Sequence, residues 1–192
     1  MAKSIDLSML QKLGGPDELS AFCLIYDEID NEVAKQVTQF IIENSFSAQP
    51  PSSLNLLINS PGGSLTDAFA IIDIMSSSTI PIRTIGLGQI ASAALMIFLS
   101  GVKGQRILTP NTSILSHRFS GGAGASKEHE LFAIQKEFDM TSTRMMHHYM
   151  KTTGKTEKYI KKWLLPPEDV FLCAEDAILH GLCDRIALIG QL

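Results

Sequence analysis

The chain predicts an α/β fold, a largely parallel sheet with helices packed on it, carried by one domain. Two observations lead there. Leu54 to Ile58 is apolar almost throughout, the pattern of a strand covered on both faces, and Ile82 to Ile85 is a second β-branched run. Each is followed by glycines and then by apolar residues at helical spacing, so strand and helix alternate.

Residues 1–20 hold a short apolar patch (Met9, Leu10, Leu13) and then the breaker cluster Gly14-Gly15-Pro16-Asp17, which sets a terminal arm apart from a domain over 21–192. Ala21 to Tyr26 reads as a strand. Asp30 or Asn31 then caps a helix with Val33, Val37, Phe40 and Ile41 on one face. After the Leu54 strand, Asn59-Ser60-Pro61-Gly62-Gly63 leads into a helix carrying Leu65, Phe69, Ile72 and Met75. The Ile82 strand breaks at Gly86 and Gly88, giving a tight turn and a buried helix over Ala91 to Leu99. Short strands follow at Arg106–Leu108 and Ser113–Ser116.

Beyond His117 comes the glycine strip Ser120-Gly121-Gly122-Ala123-Gly124, then a long helix from Ser126 to about Met150. Leu131, Ile134, Phe138, Met145 and Tyr149 share its apolar face, which is a candidate subunit interface. A basic helix over Thr156–Leu164 ends at Pro166-Pro167. Glu168 to Leu172 leads to the short helix Ala174–His180, the cap Gly181 and a last strand at Arg185–Leu188.

Composition narrows the function classes. At 192 residues with net charge −4 and no basic stripe, nucleic acid is not an expected partner. No charge falls between Arg83 and Lys103, but Gly86, Gly88, Gln89 and Ser92 interrupt the run, so a buried helix rather than a membrane span is expected. Cys23, Cys173 and Cys183 lack paired spacing, which argues against disulfides and zinc and for reduced core thiols; with no secretory leader at the start, a cytoplasmic protein is expected. No cofactor is expected, and no GxxxxGK[ST] nucleotide loop is present.

Ser92 falls at the first turn of the buried helix, where free amides and the positive dipole end suit a developing oxyanion. Gly62-Gly63 follows a buried strand and lets backbone amides approach a ligand closely. Five histidines compete for a base. His129, His147 and His148 lie on the charged helix as solvated or interface residues, and His180 sits at a helix C-terminus that favours a cation. His117, at a strand end beside the glycine strip, is best placed to reach a cleft. Asp169 precedes an apolar strand. Each has a plainer role open to it: Ser92 a small packing residue, the glycines an ordinary turn, His117 a strand-end hydrogen bond, Asp169 a cap. Spacing alone therefore reaches a plausible acyl-transfer site and no further.

Asn59-Ser60-Pro61-Gly62-Gly63, Gly88-Gln89-Ile90-Ala91-Ser92, the histidine after Ile114-Leu115-Ser116, and Asp169-Val170-Phe171-Leu172 with Gly181-Leu182-Cys183-Asp184 together resemble the Clp protease proteolytic subunit family, colinearly over about residues 21–189. The resemblance implies a crotonase-like α/β fold with a protruding handle at about 118–152. It implies Ser92 as nucleophile, His117 as base, Asp169 as the group orienting it, and Gly63 and Ala93 as oxyanion donors. Gly62, Arg118, Phe119, Gly121 and Gly122 are implied to bind substrate. Partners implied are unfolded polypeptides, copies of the chain in two stacked seven-membered rings, and an ATP-driven unfoldase. The chain departs from the family pattern at Ala93-Ala94, at Arg118-Phe119, at Glu168, and at Leu57, Ser77 and Ile107, where aromatic unfoldase-docking residues are usual. Two other readings stay open: a weak or regulatory ring subunit, and a crotonase-type enzyme acting on acyl-thioesters.

Overall fold

The computed structural model describes residues 20–120 and 127–191. The strands are β1 (Ser20–Ile25), β2 (Ser53–Ser60), β3 (Ile82–Ala91), β4 (Arg106–Leu108), β5 (Ser113–Ser116), β6 (Val170–Leu172) and β7 (Arg185–Ile186). The helices are α1 (Asn31–Ser45), α2 (Leu65–Ser77), α3 (Ala93–Leu99), α4 (Glu128–Thr153), α5 (Glu157–Trp163) and α6 (Ala174–His180). The sheet runs β1-β2-β3-β4-β7, all parallel, with β5 parallel on β3. One pairing is antiparallel, β6 on β5.

Side-chain caps start three of the helices. Asp30 accepts from the Val33 amide at 2.9 Å, and Ser64 and Thr156 do the same for α2 and α5. Gly154 and Gly181 end α4 and α6 in the left-handed region. The main core lies between the sheet and the helices, with α3 buried along its whole length. A smaller cluster of Leu57, Ile85 and Ile107 forms on the opposite face, packed by Phe22, Leu24 and Leu87. Among the described residues no helix is long and apolar enough to cross a membrane.

The expected turn at Gly86 and Gly88 is not there. β3 runs through both glycines to Ala91. Its register against β2 slips between Ile58 and Ser60, so Ile58 faces Gly86 while Ser60 faces Ile90. The bulge re-aims the strand: Thr84–Gly86 pair with β4, and Gln89–Ala91 pair with β5. Gly88 takes φ +65° at the bend, and Asn59 Oδ1 accepts the Gln89 amide at 3.0 Å to hold it. Helix α3 is correspondingly shorter than expected, and the chain reverses at Ser92 alone.

The long helix also differs from a single interface face. Met145 and Tyr149 are buried in the core, while Leu131, Phe132, Ile134 and Met140 remain exposed. Its C-terminal half is a core helix and its N-terminal half projects. Cys23 and Cys183 are buried free thiols, but Cys173 is exposed and caps α6, so it is not a core residue.

Candidate active site

Ser92 is the N-cap of α3, at φ 54° and ψ −120°, the one non-glycine residue with positive φ among those described. A non-glycine residue there is strained by about 1–3 kcal/mol and persists only where its surroundings fix it. They do so on both sides. Its amide continues the β5 ladder to Leu115 O at 2.9 Å, and its carbonyl accepts the Leu95 amide at 3.0 Å. Asp30, Ser64, Thr156 and Cys173 all use their side chains as helix caps; Ser92 makes no such bond. The main chain of Ser92 is thus held on a strand-to-helix turn, while its hydroxyl makes no hydrogen bond among the described residues.

Gly62 explains how that turn fits. At φ +96°, a Cβ added to it would lie 2.7 Å from Ala91 O and from Ser92 Cβ, and 3.2 Å from the Ala93 amide nitrogen. Ser60 pins the approach, donating to Asp27 O at 2.7 Å and accepting the Gly62 amide at 3.2 Å. Next to it, Gly63 forms a parallel bridge with Ile29 through its neighbours, Ile29 donating to Gly62 O and Ser64 to Ile29 O, each at 2.7 Å. In such a bridge the central residue turns its own N–H away from the partner strand. Among the described residues neither the Gly63 nor the Ala93 amide donates to a backbone acceptor in these turns. Gly63 lines the same cavity as Ser92, and Ala93 follows Ser92 in the chain.

Strand pairing gathers the remaining candidates. β5 lies between β3 and β6, with Ala91 facing Leu115 and Ser116 facing Val170. Continued by one residue, that register faces His117 with Asp169. Ser92 and His117 line the same small cavity, about 40 Å³, with Gly63, Leu65, Phe119 and Met145. Phe119 packs on Phe138 of α4, ring centroids 5.0 Å apart.

The His117 ring makes a bond that fixes its tautomer. Nδ1 lies 2.7 Å from the Arg118 carbonyl, which can only accept, so Nδ1 carries the proton and Nε2 the lone pair. Among the described residues no hydrogen bond joins Ser92 Oγ to His117, or His117 to Asp169, whose carboxylate is exposed. Arg118 turns its side chain toward Leu165 O, with Nε donating at 3.0 Å. Gly121 and Gly122 lie outside the described residues, as does most of the terminal arm.

The other histidines separate. His148, expected on a solvated face, is half-buried against α3: Nε2 is 2.9 Å from Met96 O and 3.3 Å from Ser100 Oγ. Burial, opposed by the Met96 bond and aided by Lys151, lowers it to about 4. His180 bonds the Tyr159 hydroxyl through Nδ1 at 2.9 Å, and burial lowers it too, against the pull of Asp176, the opposite direction to the helix-end effect expected. Among the described residues no group of three or more His, Cys, Asp or Glu side chains is placed to hold a metal ion. Sequence reasoning passed over Asn59, Ser60 and Met145 at the site. Asn59 and Ser60 stood in a quoted motif, but nothing in the sequence shows that their side chains brace the backbone.

Residues 19–189 match the family model described as Clp protease. The chain is 33% identical over 165 residues to ATP-dependent Clp protease proteolytic subunit 2 of Corynebacterium glutamicum, covering 85% of this chain and 80% of that one. Its fold superposes with TM-score 0.78 on a solved structure of a ClpP1 asparagine-to-aspartate mutant from Listeria monocytogenes, at 25% identity, covering 95% of this chain and 96% of that one.

Proposed function

Because the chain belongs to the Clp protease family and is a serine peptidase subunit of an ATP-dependent protease, we propose that Ser92, His117 and Asp169 carry its chemistry. Ser92 Oγ attacks the scissile carbonyl carbon while its proton passes to His117 Nε2. The carbonyl oxygen, now an oxyanion, is held by the Gly63 and Ala93 amides. Removing one such donor costs about 2.7–4 kcal/mol in comparable sites. His117 then gives the proton to the leaving amine, and an acyl-Ser92 ester remains. A water attacks that ester with its proton again taken by Nε2, which releases the acid and restores the hydroxyl. Asp169 replaces the Arg118 carbonyl as acceptor for Nδ1–H and steadies the imidazolium during each transfer.

The observation that supports this most directly is Ser92 itself, a strained N-cap serine whose hydroxyl caps nothing and shares a cavity with an imidazole bearing a free Nε2. Ser92→Ala is the test. It should remove turnover of a short fluorogenic peptide by the assembled protein while leaving assembly intact. Equal cleavage by the variant refutes the assignment, and full activity on a coenzyme A ester after the same change favours the acyl-thioester reading.

The subunit forms a ring and works with a Clp ATPase. In our reading two seven-membered rings stack about a closed chamber, the exposed N-terminal half of α4 joins them, Gly62, Arg118, Phe119, Gly121 and Gly122 line the substrate path, residues 1–20 form an axial arm, and the protein is cytoplasmic. Native mass of the purified chain tests the stoichiometry. Asp169, exposed and without a side-chain hydrogen bond among the described residues, favours a second reading, a ring subunit that is weak alone and gains rate with a partner subunit. Labelling with a serine-reactive probe, with and without that partner, separates the two.

A further inference from the structure

His117 is flanked by two side chains that reach the same stretch of chain. Ser116 Oγ, fully buried, donates to the Leu164 carbonyl at 2.6 Å; its one proton is thereby used, so the Tyr149 hydroxyl 2.7 Å away is the donor to Ser116. On the other side Arg118 Nε donates to the next carbonyl, Leu165, at 3.0 Å. Leu164 and Leu165 are also fixed from behind, since both amides donate to Ile160 O at 2.9 and 2.8 Å. Pro166 and Pro167 follow, each with φ locked near −65°. Two residues later the segment ends at Asp169, and Val170 rejoins Ser116 through the ladder. The segment thus leaves Ser116 at Leu164 and returns to it at Val170.

Asp169 has no side-chain hydrogen bond among the described residues, so the course of its backbone sets how far its carboxylate can reach. We propose that Ser116, Arg118 and Tyr149 are positioning residues of the hydrolytic reaction. By gripping the Leu164 and Leu165 carbonyls from both sides of His117, they set where the 166–169 segment delivers the Asp169 carboxylate to the imidazole. The proposal rests on reading His117 as the base and Asp169 as its partner. It gives Arg118, which also lines the cavity at Ser92, a second task beside the substrate path. Tyr149 lies on α4, so the grip also ties the projecting helix to the base.

Steady-state cleavage of a short fluorogenic peptide by the assembled protein tests it, with Arg118→Met, Tyr149→Phe and Ser116→Ala compared with Ser92→Ala and Asp169→Asn. Loosening the grip should lower kcat on the order of tenfold to a hundredfold with KM little changed, since a misplacement of about 1 Å costs up to about a hundredfold. Arg118→Lys, which keeps a donor, should recover part of the loss. The acid limb of the pH profile of kcat/KM should move to lower pH in Arg118→Met, because an imidazole without its carboxylate protonates less readily, and further in Asp169→Asn. A merely structural role would leave that limb in place. Unchanged kcat and acid limb in Arg118→Met and Tyr149→Phe, with Ser92→Ala and Asp169→Asn both impaired, overturn the grip and leave the triad standing. A raised KM with normal kcat in Arg118→Met also overturns it and returns Arg118 to substrate contact. Unimpaired Asp169→Asn removes the reading beneath it. Should Ser116→Ala not fold, the exposed Arg118 and the ring-preserving Tyr149→Phe decide.

Discussion

His148 makes the stability of this chain depend on pH in a way that can be worked out from its surroundings. The imidazole is wedged between α4 and the C-terminal end of α3, donating to Met96 O, and burial holds it at about 4 against an ordinary 6.5. The folded chain therefore binds this proton more weakly than the unfolded chain does. Stability from the neutral ring is fully present above 6.5 and drains away as pH falls toward 4, because between those values the unfolded state takes up the proton and the folded state resists it. At about 1.4 kcal/mol per pH unit the full effect is about 3 kcal/mol; between pH 7.5 and 5.0, about 2 kcal/mol of it is lost. His148→Gln keeps a donor for Met96 O and removes the titration. Urea unfolding of both proteins at pH 7.5 and 5.0, at one fixed protomer concentration because assembly adds its own stability, isolates the term. The parent should lose about 2 kcal/mol more than the variant across that interval. Equal losses would refute the linkage.

Two further outcomes can be stated. Asp184 binds Arg106 at 2.6 and 3.0 Å and accepts the Gly104 and Arg106 amides at 2.8 and 3.0 Å; burial pushes its carboxyl up, but these partners together hold it below the ordinary range. Asp184→Ala strands a buried guanidinium and should cost about 3 kcal/mol or more in urea unfolding at neutral pH, with only part of it recovered in Arg106→Met/Asp184→Leu because the Gly104 and Arg106 amides still lose their acceptor; a loss under about 1 kcal/mol contradicts this. Gly62→Ala forces a Cβ against Ala91 O and Ser92 Cβ and should cut peptide cleavage on the order of a hundredfold or more while rings still form, whereas unaltered cleavage would show that the turn tolerates the methyl.

What could be read from the sequence follows its physics. The run Leu54–Ile58, apolar but for Asn55, demanded two covered faces, and Asp30 and Gly181 marked helix ends because their chemistry acts within one turn. Gly86 and Gly88 misled, since a glycine signals a break equally well for a turn and for a bulge, and only pairing with both β4 and β5 distinguishes them. His148 misled because its helix is charged overall, while its side chain meets Met96 from a distant part of the chain. The Ser116–Val170 pairing, next to His117 and Asp169 in the chain, rests on an antiparallel step between strands separated by two helices, which no local pattern encodes. The Ser116, Tyr149 and Leu164 hydrogen bonds have no sequence signature at all.

The positive φ of Ser92 has a consequence for how this turn can vary. Its backbone is imposed by the hydrogen bonds to Leu115 and Leu95 and by the room that Gly62 leaves for Ala91 and Ser92, so a change at any of these neighbours disturbs the serine without touching it. Serine and glycine are obliged to change in step or stay as they are.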